Sequence, residues 1–200
     1  MDLATMRTNI RRDLHDEDAA NYRWTDDELD RHIQHAMLDI SQAVPLQQES
    51  SGIVIPTPAS KDIDISSLTG LILVDAVEYP TLEDPKRYRQ FAVWGTTLTL
   101  LIDETPTAGE PVNIRYSGVH TITVSTCSLP SHLEDLCPVG AGAYAAIEWA
   151  SYSINQLNVG GAPTPADYLK WAQDRMEFYH NELKRYGRQS RLKIARLFTD

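Results

Sequence analysis

The chain begins with two stretches in which apolar residues recur every three or four positions. This spacing places the apolar side chains on one face of a helix and predicts two amphipathic α-helices. The first stripe comprises Leu3, Met6, Ile10 and Leu14, and the second comprises Leu29, Ile33, Ala36, Met37, Ile40 and Val44. Between them, Thr25-Asp26-Asp27-Glu28 has the sequence of a capping box, which marks a helix start. Pro45 closes the second helix, so residues 1–46 predict a helical hairpin.

After Gly52 the pattern changes to short runs rich in β-branched and aromatic residues, separated by prolines and glycines. Such runs predict short strands. They lie at residues 53–55, 63–65, 71–79, 88–94, 97–102, 112–116 and 120–124. Because these strands follow one another without intervening helices, we expect a small antiparallel sheet or sandwich inserted over residues 47–127. The fold class predicted for the whole chain is therefore α+β.

Helical patterns return in the last third of the chain. Ser131-His132-Leu133-Glu134 reads as a second capping box, and the helix it starts should run to about Asn158, with a kink or restart at Pro138. Thr164-Pro165 begins a last helix, for which Gly187 marks the predicted end. Its core stripe comprises Tyr168, Ala172, Met176, Tyr179, Leu183 and Tyr186. Residues 128–187 thus complete a bundle of about four main helices, and residues 188–200 are predicted to form an extended C-terminal docking tail.

Charge is distributed unevenly along this pattern. Residues 1–182 carry 12 Lys and Arg against 27 Asp and Glu, whereas residues 183–200 carry six against one. An acidic body repels nucleic-acid phosphates, since binding to them depends on Lys and Arg replacing counterions. Sequence-specific DNA binding by the body is therefore not expected. No apolar run is long enough to span a bilayer and no secretory signal precedes the first helix, so we expect a soluble protein without a membrane partner.

The tail combines positive charge with apolar side chains that can anchor it in a partner. The predicted docking residues are Arg188, Arg191, Leu192, Lys193, Ile194, Arg196, Leu197 and Phe198. Residues 191–194 alternate as an added strand would, whereas Ile194, Leu197 and Phe198 share a helical face. Strand addition and helix-in-groove docking both remain open, as does the plain alternative of a solvated helix end.

Small residues are concentrated in the helix that follows residue 131. They are Gly140, Ala141, Gly142, Ala143, Ala145 and Ala146. Small side chains allow helices to approach closely, and we favour packing between subunits over packing within the monomer core.

Two clusters have the residue types of a catalytic or metal site. Glu28, His32, His35 and Asp39 share one helical stripe, but the histidine position of a Glu-x-x-His pair is occupied by Arg31, and a solvated polar face explains the stripe better. Ser131, His132, Glu134, Asp135 and Cys137 lie within seven positions, but no nucleophile elbow, Walker loop or His-Glu-x-x-His motif accompanies them. Cys127 and Cys137 are predicted to be reduced. We therefore expect no enzyme, no metal and no cofactor.

Two groups of segments resemble the head-to-tail adaptor (connector) proteins of tailed bacteriophages. The first is Ile10-Arg11-Arg12-Asp13-Leu14 with Tyr22-Arg23-Trp24-Thr25-Asp26-Asp27-Glu28-Leu29. The second is Leu129-Pro130-Ser131-His132-Leu133-Glu134-Asp135-Leu136 with Gly140-Ala141-Gly142-Ala143-Tyr144-Ala145. The resemblance covers the helical parts; compact all-helical connectors have no β region as large as residues 52–124.

The resemblance implies a virion neck protein that forms a ring of twelve copies under the portal, extends the DNA channel and connects capsid to tail. It also implies that the C-terminal tail binds the portal protein, that a further neck or tail protein binds the opposite side, and that assembly takes place in the host cytoplasm. A DNA-packaging ring protein like a terminase small subunit is the main alternative, although residues 1–45 hold ten acids and five Lys and Arg. A neck-associated hydrolase is a weaker alternative.

Overall fold

A computed structural model of the chain describes residues 1–81, 83–153 and 165–190. The chain divides into two compact units. The helical unit consists of Met1–Val44 and the described residues from His120 onward, and the β unit consists of Pro45–Val119. The described residues contain four longer helices, one short helix and two small antiparallel sheets. The predicted α+β class is confirmed.

The first two helices form the predicted hairpin, α1 (Leu3–Asp13) and α2 (Asp26–Ala43). The capping box at the start of α2 is present, since Thr25 N donates to the Glu28 carboxylate at 2.7 Å and Glu28 N donates to the Thr25 hydroxyl at 3.3 Å. The chain leaves α1 through His15, whose φ of 52° is left-handed. This conformation lets the backbone N–H of the next residue, Asp16, bond back to the carbonyl of Arg11 at 2.8 Å, which is a Schellman ending.

The second half of the helical unit contains α3 (Ser131–Glu134), α4 (Leu136–Ser153) and α5 (Pro165–Ser190). The predicted second capping box is wrong: the residue that caps α3 is Pro130, which makes no side-chain cap bond, and Ser131 is already helical. Pro138 lies in the first turn of α4, where its missing N–H has no helical partner to lose. The predicted end near Asn158 lies outside the described residues.

The helices of this unit share one apolar core. Both hairpin stripes are buried in it except Leu3 and Val44, which are partly buried. From the other helices it receives Leu133, Leu136, Cys137, Ala141, Ala145, Ala146, Ala172, Tyr179 and Leu183. Met176 and Tyr186 of the predicted α5 stripe pack against its margin.

Gly187 does not end the last helix, contrary to the prediction, because α5 continues to Ser190. A Cβ placed on Gly187 would lie 3.0 Å from the carbonyl oxygen of Ala43. The glycine therefore allows α5 to pass close to the backbone at the end of α2, and its value here is small size rather than helix termination.

The described residues of the β unit form seven strands, all paired antiparallel. They are β1 (Leu46–Val54), β2 (Asp62–Asp64), β3 (Leu71–Glu78), β4 (Tyr88–Arg89), β5 (Phe91–Trp94), β6 (Thr97–Leu100) and β7 (Pro111–Gly118). One sheet has the order β1-β7-β3-β4 and the other has the order β2-β6-β5. Both sheets contribute to one apolar cluster, which includes Ile63 and Leu98 from the smaller sheet and Val77 and Ile114 from the larger one.

Three strand predictions need correction. The predicted strand over residues 88–94 is two strands, which belong to different sheets and are separated at Gln90. The first strand begins at Leu46 rather than at residue 53, because its polar residues lie at a sheet edge and carry no apolar signal. Residues 120–124 form no strand; Ile122 makes only an isolated bridge to Cys127.

Candidate functional site

The base of the predicted docking tail is helical. Arg188 lies in the last turn of α5 with its side chain exposed, so the tail prediction is wrong in starting an extended segment at this residue. Lys184 and Arg185 are also exposed, and Arg185 pairs with Glu182. Cationic side chains at a helix C-terminus interact favourably with the helix dipole. The other predicted docking residues lie outside the described residues: Arg191, Leu192, Lys193, Ile194, Arg196, Leu197 and Phe198.

The small residues predicted to pack between subunits are buried inside a single chain. Gly140, Ala141, Gly142, Ala143, Ala145 and Ala146 all belong to α4 and are all buried. Gly140 leaves room for the ring of Tyr179, whose Cζ would lie 2.6 Å from a Cβ on the glycine. The Tyr179 hydroxyl donates to the carbonyl of Ala36 at 2.8 Å, which ties α5 to α2 across this gap. These contacts account for the small residues within the monomer; their role between subunits stays a prediction.

Part of the polar stripe of α2 contacts α4. The prediction of a solvated face fits the exposed Glu28 and His35, and it is wrong for the buried His32 and the partly buried Asp39. The buried His32 places Nε2 at 2.9 Å from a carboxylate oxygen of Glu148, which also bonds Arg31. Tyr144 stacks on His35 at 4.1 Å between ring centroids and donates to Asp39 at 2.7 Å.

The remaining member of that stripe, Glu28, is used by the capping box. Burial lowers the pKa of His32, with the neighbouring Glu148 carboxylate opposing that shift. Among the described residues, no group of three or more His, Cys, Asp and Glu side chains is arranged to hold a metal ion. The contacts of His32, His35 and Asp39 join α2 to α4.

The cluster around residue 131 is not arranged as a nucleophilic site. The buried Cys137 thiol points to the carbonyl of Ile33 at 3.8 Å, and burial raises its pKa well above the ordinary range, which disfavours the reactive thiolate. His132 is exposed and its ring contacts Tyr186 at 5.6 Å. Glu134 accepts from the amino group of Met1. The predicted free state of both cysteines is confirmed.

Sequence reasoning missed a buried charge network at the hairpin turn. Arg11 donates to Asp16 at 2.7 Å and to Asp26 at 2.8 Å, and its side chain and that of Asp16 are only 7% and 6% exposed. Asp16 also accepts from the backbone N–H groups of Arg23 and Trp24, at 2.7 and 3.4 Å. The network fixes the turn between α1 and α2. The only signal for it was an arginine adjacent to the apolar stripe.

His120 was predicted to lie in a strand and is instead a buried junction in the helical unit. Its Nε2 lies 3.0 Å from the carbonyl oxygen of Val44, and its Nδ1 lies 3.1 Å from the hydroxyl of Ser128. Its backbone N–H donates to the hydroxyl of Ser41 at 2.9 Å. Burial lowers the pKa of His120, so the neutral ring is favoured, with Nε2 donating to Val44.

One shallow cleft lies between the end of α1 and the start of α5. Its volume is about 260 Å³, slightly below the roughly 300–1,000 Å³ of small-molecule sites. It is lined by Asp13, Leu14, His15, Asp167, Tyr168 and Trp171. Arg175 already interacts with two of these lining residues, since its guanidinium forms an ion pair with Asp13 and lies 4.8 Å from the ring centre of Trp171.

In the described part of the chain, no helix is both long and apolar enough to cross a membrane.

Comparison with known proteins gives no family. No protein-family model matches the chain, and no curated protein matches it significantly. Among solved structures, one similar chain belongs to the neck of an empty GTA particle computed with C6 symmetry, with a TM-score of 0.33 and 12% identity over 86% of this chain and 88% of that chain. Another belongs to the neck of a native GTA particle computed with C12 symmetry, with a TM-score of 0.29 and 13% identity over 85% of this chain and 86% of that chain. TM-scores this low do not establish a shared fold.

Proposed function

We propose that this protein is a structural head-to-tail adaptor of a tailed phage, located in the virion neck after assembly in the host cytoplasm. In this proposal twelve copies form a ring beneath the portal, extend the DNA channel and connect the capsid to the tail. The C-terminal segment binds the portal protein, and a further neck or tail protein binds the opposite side. DNA passes through the ring without sequence-specific binding, and the protein carries out no chemistry.

The observation that carries this proposal is the exposed basic end of α5. Lys184, Arg185 and Arg188 are exposed on the last turns of a 26-residue helix, directly before the basic and apolar residues 191–198. A helix of this length spans about 39 Å, so it can present the following segment to a partner. The sequence resemblance of the helical parts to phage connectors supplies the class of partner.

The roles of the catalytic-type residues agree with this proposal. Cys137 is buried, His32 joins α2 to α4, and Glu28 caps a helix. Each of these side chains has a structural contact that explains its position. The hydrolase alternative therefore has no arranged site among the described residues.

The DNA-packaging alternative is also weakened by contacts in the hairpin. A DNA-recognition helix needs free basic side chains for phosphates and bases. Arg7 instead bonds Asp30 and Asp26, and Arg11 bonds Asp16 and Asp26. Fluorescence anisotropy with duplex DNA at physiological salt should show no binding; binding that is lost on replacing hairpin arginines would favour this alternative.

The proposal is tested by deleting residues 191–200, which leaves the described part of α5 intact. Affinity for purified portal should fall by at least about tenfold, since a few anchor residues usually carry most of the binding free energy. Arg12→Ala, which removes an exposed cation elsewhere, is the control and should bind normally. Undiminished portal binding by the deletion would refute the docking role of the tail.

A second variant separates the apolar anchors from the charge. Leu197→Ser with Phe198→Ser keeps every basic residue of the tail, and it should weaken portal binding at moderate salt, where simple charge attraction is screened. Electron microscopy of the portal complex should show a closed ring. An acidic lumen would suit a conduit through which DNA slides by like-charge repulsion, and a basic lumen would contradict that part of the proposal.

A further inference from the structure

Among the described strands, β2 pairs only with β6, so it lies at an edge of the smaller sheet. The carbonyl of Lys61 accepts from Leu100 N, and Ile65 N donates to the carbonyl of Thr96, each at 2.9 Å. Because antiparallel strands bond through alternate residues, Ile63 also faces β6, while the backbone groups of Asp62 and Asp64 point to the open side. Among the described residues, Asp62 N donates only to the hydroxyl of Ser60, at 3.0 Å.

The side chains of β2 alternate between exposed charged residues and a buried apolar residue. Asp62 and Asp64 are exposed, and Ile63 between them is 1% exposed and belongs to the apolar cluster of the β unit. Asp62 accepts from the Thr99 hydroxyl at 2.6 Å, and Asp64 accepts from Ser66 N at 2.8 Å. Neither carboxylate forms an ion pair with another described residue. The hydrogen bonds from Ser66 lower the pKa of Asp64, so this carboxylate stays ionised at neutral pH.

The C-terminal segment contains the complementary sequence. In Arg191-Leu192-Lys193 an apolar residue lies between two cations. In Asp62-Ile63-Asp64 of β2 an apolar residue lies between two anions. In an antiparallel pair Arg191 would lie opposite Asp64, Leu192 opposite Ile63 and Lys193 opposite Asp62. Directly opposite side chains of unlike charge stabilise a strand pair, and an inward leucine would extend the apolar cluster. The wider charge balance agrees, since residues 45–119 carry ten Asp and Glu against five Lys and Arg.

The other sheet edges fit such a segment less well. The edge strand β1 carries one acid, Glu49, which already pairs with Arg115, and it has a register shift after Ser50, a feature that blunts strand addition. The edge strand β5 has no charged residue to face the cations, and the edge strand β4 carries the cation Arg89. Charge complementarity therefore selects β2.

We propose that residues 191–193 of one copy add as a strand to the free edge of β2 in a second copy. The two partners contribute different surfaces, so the contact is heterologous and closes a ring when the rotation between copies allows it. Arg196, Leu197 and Phe198 lie beyond the matched positions and stay available to the portal. The inference deepens the proposed function and rests on it for the idea of a ring, but its test contains no portal, so the two contacts are measured separately.

The first test is binding of a labelled peptide of residues 188–200 to the full chain, followed by fluorescence anisotropy. The full chain carries Arg191→Asp with Lys193→Asp, so that its own segment does not compete. Asp62→Lys with Asp64→Lys, made in a chain that keeps Arg191 and Lys193 so that its own segment is repelled by the reversed edge, should weaken peptide binding by at least about tenfold. The control Asp103→Lys with Glu104→Lys reverses two exposed acids in the same unit and should leave binding unchanged.

Charge reversal on both sides gives the decisive comparison. A peptide with Arg191→Asp and Lys193→Asp should bind the Asp62→Lys, Asp64→Lys chain and not the chain with native aspartates. Circular dichroism confirms that each variant is folded, which is expected because both aspartates are exposed. No peptide binding, or equal binding with native and reversed aspartates, would overturn the proposal.

Sedimentation of the full chain distinguishes a second copy from the same copy as the source of the strand. The native chain should associate as its concentration rises, and Arg191→Asp with Lys193→Asp should abolish this association. The native chain could instead stay monomeric while the Arg191→Asp, Lys193→Asp variant gains peptide binding. This result would show that each chain's segment pairs with β2 of the same copy, and it would overturn the contact between copies.

Discussion

Gly140 and Gly142 lie two positions apart on α4, and their surroundings differ sharply. A Cβ on Gly140 would lie 2.6–2.9 Å from three atoms of the buried Tyr179 ring. A Cβ on Gly142 would meet its nearest neighbour, Ile10 Cγ2, at 4.0 Å, an ordinary contact. Only the first glycine is required by the packing of the monomer.

We predict that only the alanine at position 140 destabilises the protein. Gly140→Ala should lower the free energy of unfolding by about 1–3 kcal/mol, because the Tyr179 ring has to move in a close-packed interior. Gly142→Ala should leave it unchanged or raise it by up to about 1 kcal/mol through better helix propensity. Chemical denaturation measures both, and a destabilised Gly142→Ala would show that its space is needed.

A second residue-scale prediction concerns His120 and pH. Burial lowers its pKa below the ordinary value of 6.5. Below that pH the unfolded chain binds a proton that the folded chain binds less readily, so stability should fall as pH falls from 7.5 to 5.5, by at most about 1.4 kcal/mol per pH unit for one proton. Burial lowers the pKa of His32 too, in the same direction.

Denaturation at a series of pH values checks this prediction with two variants. His120→Gln should flatten the dependence between pH 7.5 and 5.5, because the titrating group is removed. His180→Gln changes an exposed histidine of α5 and controls for the substitution itself. An unchanged pH dependence in His120→Gln would contradict the assignment.

At the scale of elements, the turn between α1 and α2 depends on a buried ion pair. Arg11 and its neighbour Arg12 form a natural comparison. The Arg11–Asp16 pair is almost fully buried, whereas the Arg12–Glu17 pair has side chains that are 67% and 63% exposed at a separation of 3.6 Å. Breaking a buried pair leaves an uncompensated charge, while an exposed pair is worth little.

We therefore expect Arg11→Ala to lower the free energy of unfolding by about 3–5 kcal/mol. Arg12→Ala should lower it by less than about 1 kcal/mol. Urea denaturation of the two variants gives the comparison, and similar values for both would show that the buried pair does not hold the turn.

At the scale of the whole molecule, the two residues that flank the inserted β unit contact each other within the helical unit. Val44, the last residue before the insertion, accepts from the ring of His120, the first residue after it, at 3.0 Å. The helical unit also has an apolar core of its own.

Excision of Pro45–Val119, with a linker of about four Gly and Ser residues, should therefore leave a folded helical unit. The shortened chain should keep a helical circular dichroism spectrum and a cooperative thermal transition. The same excision combined with His120→Ala should be less stable, since the bonds of the imidazole ring to Val44 and Ser128 are lost. A shortened chain without a cooperative transition would show that the helices need the β unit.

Local patterns were sufficient for most of the helical unit. The stripes of α1 and α2, the capping box at Thr25 and the core face of α5 are periodic signals, so they could be read from the sequence. The strands were placed less well: the polar residues of β1 hide a strand, and the division of residues 88–94 between two sheets depends on which strands they pair with.

The sequence by itself determined the α+β class, the helical hairpin, the charge asymmetry and the basic and apolar segment at residues 188–198. Only the tertiary structure decided the role of single residues whose partners lie far away in the chain. Gly187 lies inside α5, where it leaves room for the backbone of Ala43, and the ring of His120 bonds Val44 and Ser128 in the helical unit. Periodicity records which side of an element is apolar, whereas close packing and burial of charge depend on the residues that the fold brings opposite.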